Sequence, residues 1–309
     1  MNLFKYPYLI QQEIFHHMET SELFLLSFVS KNMKKLIKST QMARFKAINT
    51  IVYGCSTTNQ PYVYIPYKRG NDIIIRIMKN DKNKNCDFQL DLYGKIIDFR
   101  LNKENEQSQS YPIALFYLSE KRTVYECIHN YIFDFFGNAV EYYWKEDDYR
   151  CDLPIIPKLK NVSFCAKVHI RGCRADPENL ETIFSQYPVL KAIQIDTDMF
   201  KGTFSPESKF YQTESIESEQ FKHNIPDILS HFQGRQAFIQ CGKDRNNMLV
   251  SDLIKFVNRW KSGEAFQNLE YLRIQVALFE IPQNNIMNGV GAKYVETTKI
   301  TPKHSLPRV

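Results

Sequence analysis

Apolar positions in the first 40 residues recur at helical spacing. Pro7 suits a helix start, and Leu9 or Ile10, Ile14 and Met18 form an apolar stripe behind it. Glu22 falls in a first turn, where a negative charge favours the helix dipole. Leu23, Leu26, Ser27 and Ser30 follow at helical spacing, and Phe24, Leu25 and Phe28 make this second helix apolar nearly all round. So short a helix needs partners on more than one face. Ser30 is placed to cap a third helix over residues 31–38.

Between residues 50 and 118 the pattern shortens. Residues 51–53, 62–65, 73–78, 88–92, 96–101 and 113–118 are brief runs rich in β-branched and aromatic side chains, with polar breaks at 79–87 and 102–110. They predict a series of antiparallel strands with hairpin-like loops. From residue 119 helical spacing returns. Val124, Cys127, Ile128 and Tyr131 fit one buried face; so do Leu180, Ile183, Phe184 and Tyr187, then Ile225, Ile228, Leu229 and Phe232, then Leu253, Phe256, Val257 and Trp260. Asp176-Pro177 and Ser251 open two of these helices, and Gly137, Gly234 and Gly263 close three.

Strands flank the later helices with a shared spacing. Leu159-x-x-Val162-x-Phe164, Leu190-x-x-Ile193-x-Ile195 and Leu269-x-x-Leu272-x-Ile274 have the form of the strand segment of a leucine-rich repeat. Strand–helix–strand alternation implies right-handed crossovers and a largely parallel sheet with helices on one side. The repeat is irregular and lacks the usual asparagine or cysteine, so it is leucine-rich-repeat-like only. Residues 201–224, rich in Ser, Glu and Gln, read as an exposed loop. The expected class is α+β: a three-helix module over 1–48, a strand-rich part over 49–118 and a leucine-rich-repeat-like α/β part over 119–309.

Composition adds limits. The chain has 309 residues, 43% hydrophobic and 24% charged, which suits globular domains and not a disordered chain. Its longest apolar runs, 23–29 and 111–118, are far shorter than the roughly 20 residues a bilayer needs. Lys5, Pro7, Gln11, Gln12 and Glu13 interrupt the place a signal peptide's apolar core would take. The seven cysteines are scattered without a CxxC pair and are expected as core residues of a reducing compartment, cytoplasmic or nuclear.

The net charge is +6, yet the first 50 residues hold seven Lys and Arg against three Glu and so carry most of it. Lys31, Lys34, Lys35 and Lys38 lie at helical spacing with Met33, Leu36 and Ile37 between them. They read first as the solvated face of an amphipathic helix and second as a docking surface for an acidic protein. A nucleic-acid stripe, which would carry interleaved aromatics or glycines, comes third. No nucleic acid or membrane is expected as a partner.

Candidate chemistry is sparse. Cys165, His169 and Cys173 would share a face if helical, but the residues between them alternate like a strand, which spreads the three too far apart for one ion. Gly289-Val290-Gly291-Ala292-Lys293 lacks the spacer and the Ser or Thr of a phosphate loop. Asp196-x-Asp198 and Asp147-Asp148 read as solvated loop acids. No G-x-S-x-G or HExxH occurs; a Cys–His pair assembled by folding stays open. No catalytic residue, cofactor or metal is expected.

The first segment resembles an F-box. Pro7, Leu9, Ile10, Ile14, Phe15, Met18, Glu22-Leu23, Val29-Ser30-Lys31 and Leu36-Ile37 stand in the order of that motif, with departures at Tyr6, where Leu is usual, and at Met33, where an aromatic is common. Residues 129–137, Phe232-Gln233-Gly234-Arg235-Gln236, 256–263 and Asn268-Leu269-Glu270 resemble the type-2 F-box-associated domain of the expanded nematode family of F-box proteins. Members of that family usually continue past the region of Val309 with further strands.

The resemblance implies a substrate adaptor, not an enzyme. The F-box at 1–48 would bind a Skp-family linker and through it a cullin. The F-box-associated domain at 49–309 would present an unidentified protein substrate to the ubiquitin ligase. Carried over by position, Pro7, Leu9, Ile10, Ile14, Leu23 and Val29 would line the Skp contact. The alternatives are that these side chains pack on the following domain, that the chain is a solenoid-type scaffold without a ligase role, or that it is an enzyme with a fold-assembled pocket.

Overall fold

A computed structural model of the chain describes residues 3–55, 60–68, 70–80, 86–102, 110–149, 159–220, 225–241, 250–276 and 283–291. Its contacts divide into two compact units, one comprising residues 1–147 and 154–163, the other 148–153 and 164–309.

The first unit opens with four helices, α1 (Tyr8–His16), α2 (Thr20–Ser27), α3 (Lys31–Thr40) and α4 (Met42–Lys46). Three were expected; α4 is a further short turn of chain that buries Phe45. Ser30 caps α3 as its sequence position implies, its hydroxyl accepting from Met33 N–H at 3.0 Å. The strands are β1 (Thr50–Cys55), β2 (Pro61–Tyr67), β3 (Gly70–Lys79), β4 (Phe88–Leu92), β5 (Lys95–Leu101), β6 (Pro112–Phe116) and β7 (Glu141–Tyr149), with α5 (Lys121–Phe136) before β7. Their order across the sheet is β7-β1-β2-β3-β6-β5-β4.

The hairpin reading of 50–118 is right for β1–β2, β2–β3, β4–β5 and β5–β6, which are antiparallel. It is wrong for one pair: β3 and β6 run parallel. β1 also pairs in parallel with β7, outside that range. Period-two alternation is the same for either direction, so the sequence carries no local signal for it. β4 and β5 meet through Tyr93-Gly94, both at positive φ, as a two-residue turn requires.

The second unit contains β8 (Val162–Ala175) from Phe164 onward, β9 (Leu190–Phe200), β10 (Ser215–Gln220), β11 (Gln236–Cys241) and β12 (Tyr271–Val276). Each pairs in parallel with the next in sequence order. The connections carry α6 (Pro177–Ser185), α7 (Lys209–Gln212), α8 (Ile225–His231) and α9 (Val250–Lys261), and α10 (Gln283–Gly289) follows β12. Asp176 caps α6, accepting from Glu178 N–H at 3.1 Å. α9 starts at Val250, one residue before the expected Ser251. A crossover connection between adjacent parallel strands lays its helix over one sheet face. On that face Val168, Ile195, Ser218 and Ile239 stand in register and are buried.

Residues 201–224 are not an open loop throughout. They contain α7 and β10, and Phe204, Phe210, Tyr211 and Ile216 are buried. Phe204 stacks on Phe210 at 4.5 Å between ring centroids. The polar composition comes from the outward positions of β10, while its inward positions are Ile216 and the small Ser218.

Candidate functional site

The N-terminal helices hold one another through polar contacts at their ends. Glu19 N–H donates to Glu22 Oε2 at 2.8 Å at the start of α2. Arg44 of α4 donates to Met18 O at 2.6 Å and to Thr20 Oγ1 at 2.9 Å. Gln11 of α1 donates to Tyr6 O at 2.7 Å, fixing the chain that leads into α1.

This scaffold sorts its apolar side chains into two sets. Phe15, Leu23, Phe24 and Ile37 are almost fully buried. Leu9 is 75% exposed, Val29 70% and Ile10 46%, with Pro7, Tyr6 and Tyr8 also exposed and Ile14 half-buried. Five of the six residues expected in a Skp contact are therefore at least partly accessible. Leu23 is the exception: it is completely buried inside the unit, where it packs and does not present a surface. Tyr6 and Tyr8 were not among the expected contacts; their signal was two aromatics flanking Pro7 ahead of the first apolar stripe.

Of the buried set, Phe24 meets α5. Phe24 contacts Tyr131, Phe135 and Phe136 at ring-centroid distances of 5.4–6.1 Å. Tyr131 donates its hydroxyl to Ser27 O at 3.0 Å, and burial pushes that phenol up to about 12. Packing on the following elements is thus real for Phe24 and Phe28, while Leu9, Ile10 and Val29 are left uncovered in this chain. Exposed apolar side chains clustered on a small helical module are a feature of interaction surfaces.

α3 reaches α5 through charge. Lys34 Nζ lies 2.6 Å from Asp134 Oδ2 and 3.6 Å from the centre of the Tyr131 ring. Lys38 donates to the Asp134 carbonyl. Burial lowers the Lys34 pKa from the ordinary ammonium value, outweighing the pull of Asp134. The Lys34 hydrogen bond holds the Asp134 carboxyl below the usual carboxylate range.

In the second unit, the sheet face turned away from the buried row carries mostly polar residues in register. His169, Asp196, Glu219, Gln240 and Gln275 form one row; Lys167, Gln194, Glu217, Phe238 and Arg273 form another. His169 Nδ1 lies 2.8 Å from Asp196 Oδ2. Cys165, His169 and Cys173 all lie along β8, as the alternation implied. Cys86 is exposed, against the expectation that the cysteines are core residues; Cys55, Cys127 and Cys165 are buried. The motif around Gly234 is structural: Arg235 pairs with Glu270 at 2.6 Å and with Glu214 at 3.2 Å.

Gly289 and Gly291 lie at the end of α10, and Lys293 lies outside the described residues. Among the described residues no three His, Cys, Asp or Glu side chains converge as metal ligands. Nor is any helix there long and apolar enough to cross a membrane.

The family model of the F-box domain matches residues 7–43. This segment is an F-box domain. It spans α1 to α3 and the start of α4. F-box domains generally bind a Skp-family linker and through it a cullin, and typically belong to adaptors rather than enzymes. No curated protein and no solved structure matches the chain.

Proposed function

We propose that this protein is the substrate-recognition adaptor of a Skp–cullin–F-box ubiquitin ligase, of the nematode type with an F-box-associated domain after the F-box. One observation carries the reading: within the F-box segment, Leu9, Ile10 and Val29 stay exposed while Leu23 and Phe24 are consumed by the chain's own core. Pro7, Leu9, Ile10, Ile14 and Val29, with Tyr6 and Tyr8, form the Skp contact on this reading. The adaptor supplies proximity and orientation, and transfer chemistry belongs to its partners. It acts in the cytoplasm or nucleus.

The second unit is the substrate-presenting part. Its consecutive parallel strands with intervening helices support a leucine-rich-repeat-like reading, and its polar sheet face offers side chains from five neighbouring strands to a protein substrate. The same regularity favours the second reading, a solenoid-type scaffold without a ligase role.

Co-purification of the full chain with a Skp-family linker decides between them. The Leu9→Asp, Ile10→Asp double variant is expected to lose the linker while melting like the wild type. Capture of no Skp or cullin component by the wild-type chain would sink the adaptor reading and favour the scaffold.

A further inference from the structure

The first unit has a cleft of 1310 Å³ walled by α3, α4, the β4–β5 turn and the C-terminal end of α5. Five lysines line it, Lys31, Lys34, Lys35, Lys38 and Lys46, against two acids, Asp91 and Asp134. The acids are already engaged. Asp134 holds Lys34 and Lys38, and Asp91 Oδ1 accepts from Gly94 N–H at 2.8 Å. Lys31, Lys35 and Lys46 are exposed and make no ion pair among the described residues.

The cleft is not simply a solvated basic face. Met42 and Tyr93, on its walls, are more than half exposed. Tyr93 is held in a left-handed backbone conformation, φ +56°, which costs a bulky residue energy, and its hydroxyl donates to Asn130 O at 3.1 Å. Cations with no ion pair among the described residues thus stand around accessible apolar surface. The complementary ligand carries several negative charges together with apolar side chains. Lys31 and Lys35 stand about 6 Å apart along α3, a length that about two residues of extended chain cover. The volume exceeds the roughly 300–1,000 Å³ of most small-ligand sites.

We propose that this cleft is a docking site for an acidic peptide segment of a partner protein, with Lys31, Lys35 and Lys46 meeting its carboxylates and Met42 and Tyr93 its apolar side chains. The proposal goes beyond the adaptor reading and stands without it. Because α3 of the F-box forms one wall, an occupant would touch the F-box and the following strands together.

Fluorescence polarisation on the full chain tests this with three labelled peptides of about ten residues. One alternates Glu or Asp with Leu and Phe; the second has Gln and Asn for the acids; the third has Lys. The acidic peptide is expected to bind at least about tenfold more tightly than the others and to weaken with added salt. The Lys31→Glu, Lys35→Glu, Lys46→Glu variant is expected to lose at least about tenfold in affinity. The milder Lys31→Gln, Lys35→Gln, Lys46→Gln variant, with an unchanged melting temperature, should lose part of it. No binding of the acidic peptide, equal binding of all three, or binding indifferent to the lysine variants would overturn the proposal. Displacement by millimolar inorganic phosphate alone would reassign the cleft to small anions. Loss of binding when a Skp-family linker is added would make it part of the linker contact. A linker pull-down on the same preparations reads the adaptor proposal separately.

Discussion

Lys34 Nζ and Asp134 Oδ2, 2.6 Å apart, tie the third helix of the F-box to α5 across 100 residues of sequence. The lysine side chain is largely covered and the carboxylate is 59% exposed, so solvent screens the pair. Asp134→Asn is expected to cost about 0.5–1 kcal/mol in urea unfolding. The sign with pH follows from the depressed Asp134 pKa. Its contribution is present above the ordinary 3.8 and is lost as pH falls through the lower folded-state value. The variant should lack that part of the acid limb.

A second pH effect has the same sign but lies nearer neutrality. His129 is buried, with Nε2 2.8 Å from Lys160 O and Nδ1 2.7 Å from Tyr53 Oη. The carbonyl can only accept, so Nε2 carries the proton and the Tyr53 hydroxyl donates to Nδ1. Burial lowers the His129 pKa below 6.5, the backbone hydrogen bond opposing it. The unfolded chain then takes up the proton first as pH falls through 6.5, and stability drops. Urea midpoints from about pH 7 to about pH 5 should show this fall, and His129→Gln should flatten it. Tyr53→Phe, which leaves Nδ1 without a donor, should cost about 1–3 kcal/mol.

Phe24 and Leu9 both belong to the F-box and test opposite roles. Phe24→Ala removes a ring packed against Tyr131, Phe135 and Phe136 and should cost about 3–5 kcal/mol by thermal unfolding. Leu9→Asp should change stability by less than about 0.5 kcal/mol, because the side chain already faces solvent. A Leu9 variant that melts as early as the Phe24 variant would contradict the division into core and surface.

Gly234 is required by space. A Cβ there would stand 2.0 Å from the Thr213 carbonyl oxygen and 2.4 Å from the Phe232 ring. Gly234→Ala should destabilise by about 1–3 kcal/mol or more. Gly202→Ala, with nothing within 4 Å of the new methyl, is the matched control and should leave the melting temperature near that of the wild type.

Much of the local structure was legible because its causes are local. Ser30 and Asp176 cap the helices they precede, and Gly137 and Gly263 follow α5 and α9 at positive φ. The long helices α5 and α9 follow their apolar stripes. β10 escaped because Ser-Ile-Glu-Ser-Glu-Gln offers one large inward residue, too little alternation to mark a strand. The parallel pairing of β3 with β6 is set by contacts distant in sequence.

The candidate site shows the same division. Sequence order alone marked out the F-box segment and placed Leu9 and Leu23 on short helices and Val29 in the motif before the third. All three read alike as hydrophobic positions of that segment. The tertiary structure decided that α5 and its neighbours would enclose Leu23 and Phe24 and leave Leu9 and Val29 in water. It also decided that Asp134 would engage two of α3's lysines while Lys31 and Lys35 make no ion pair among the described residues. Residue type and spacing determine which helix forms and which stripe is apolar. What covers that stripe depends on elements far along the chain, and only the folded chain brings them there.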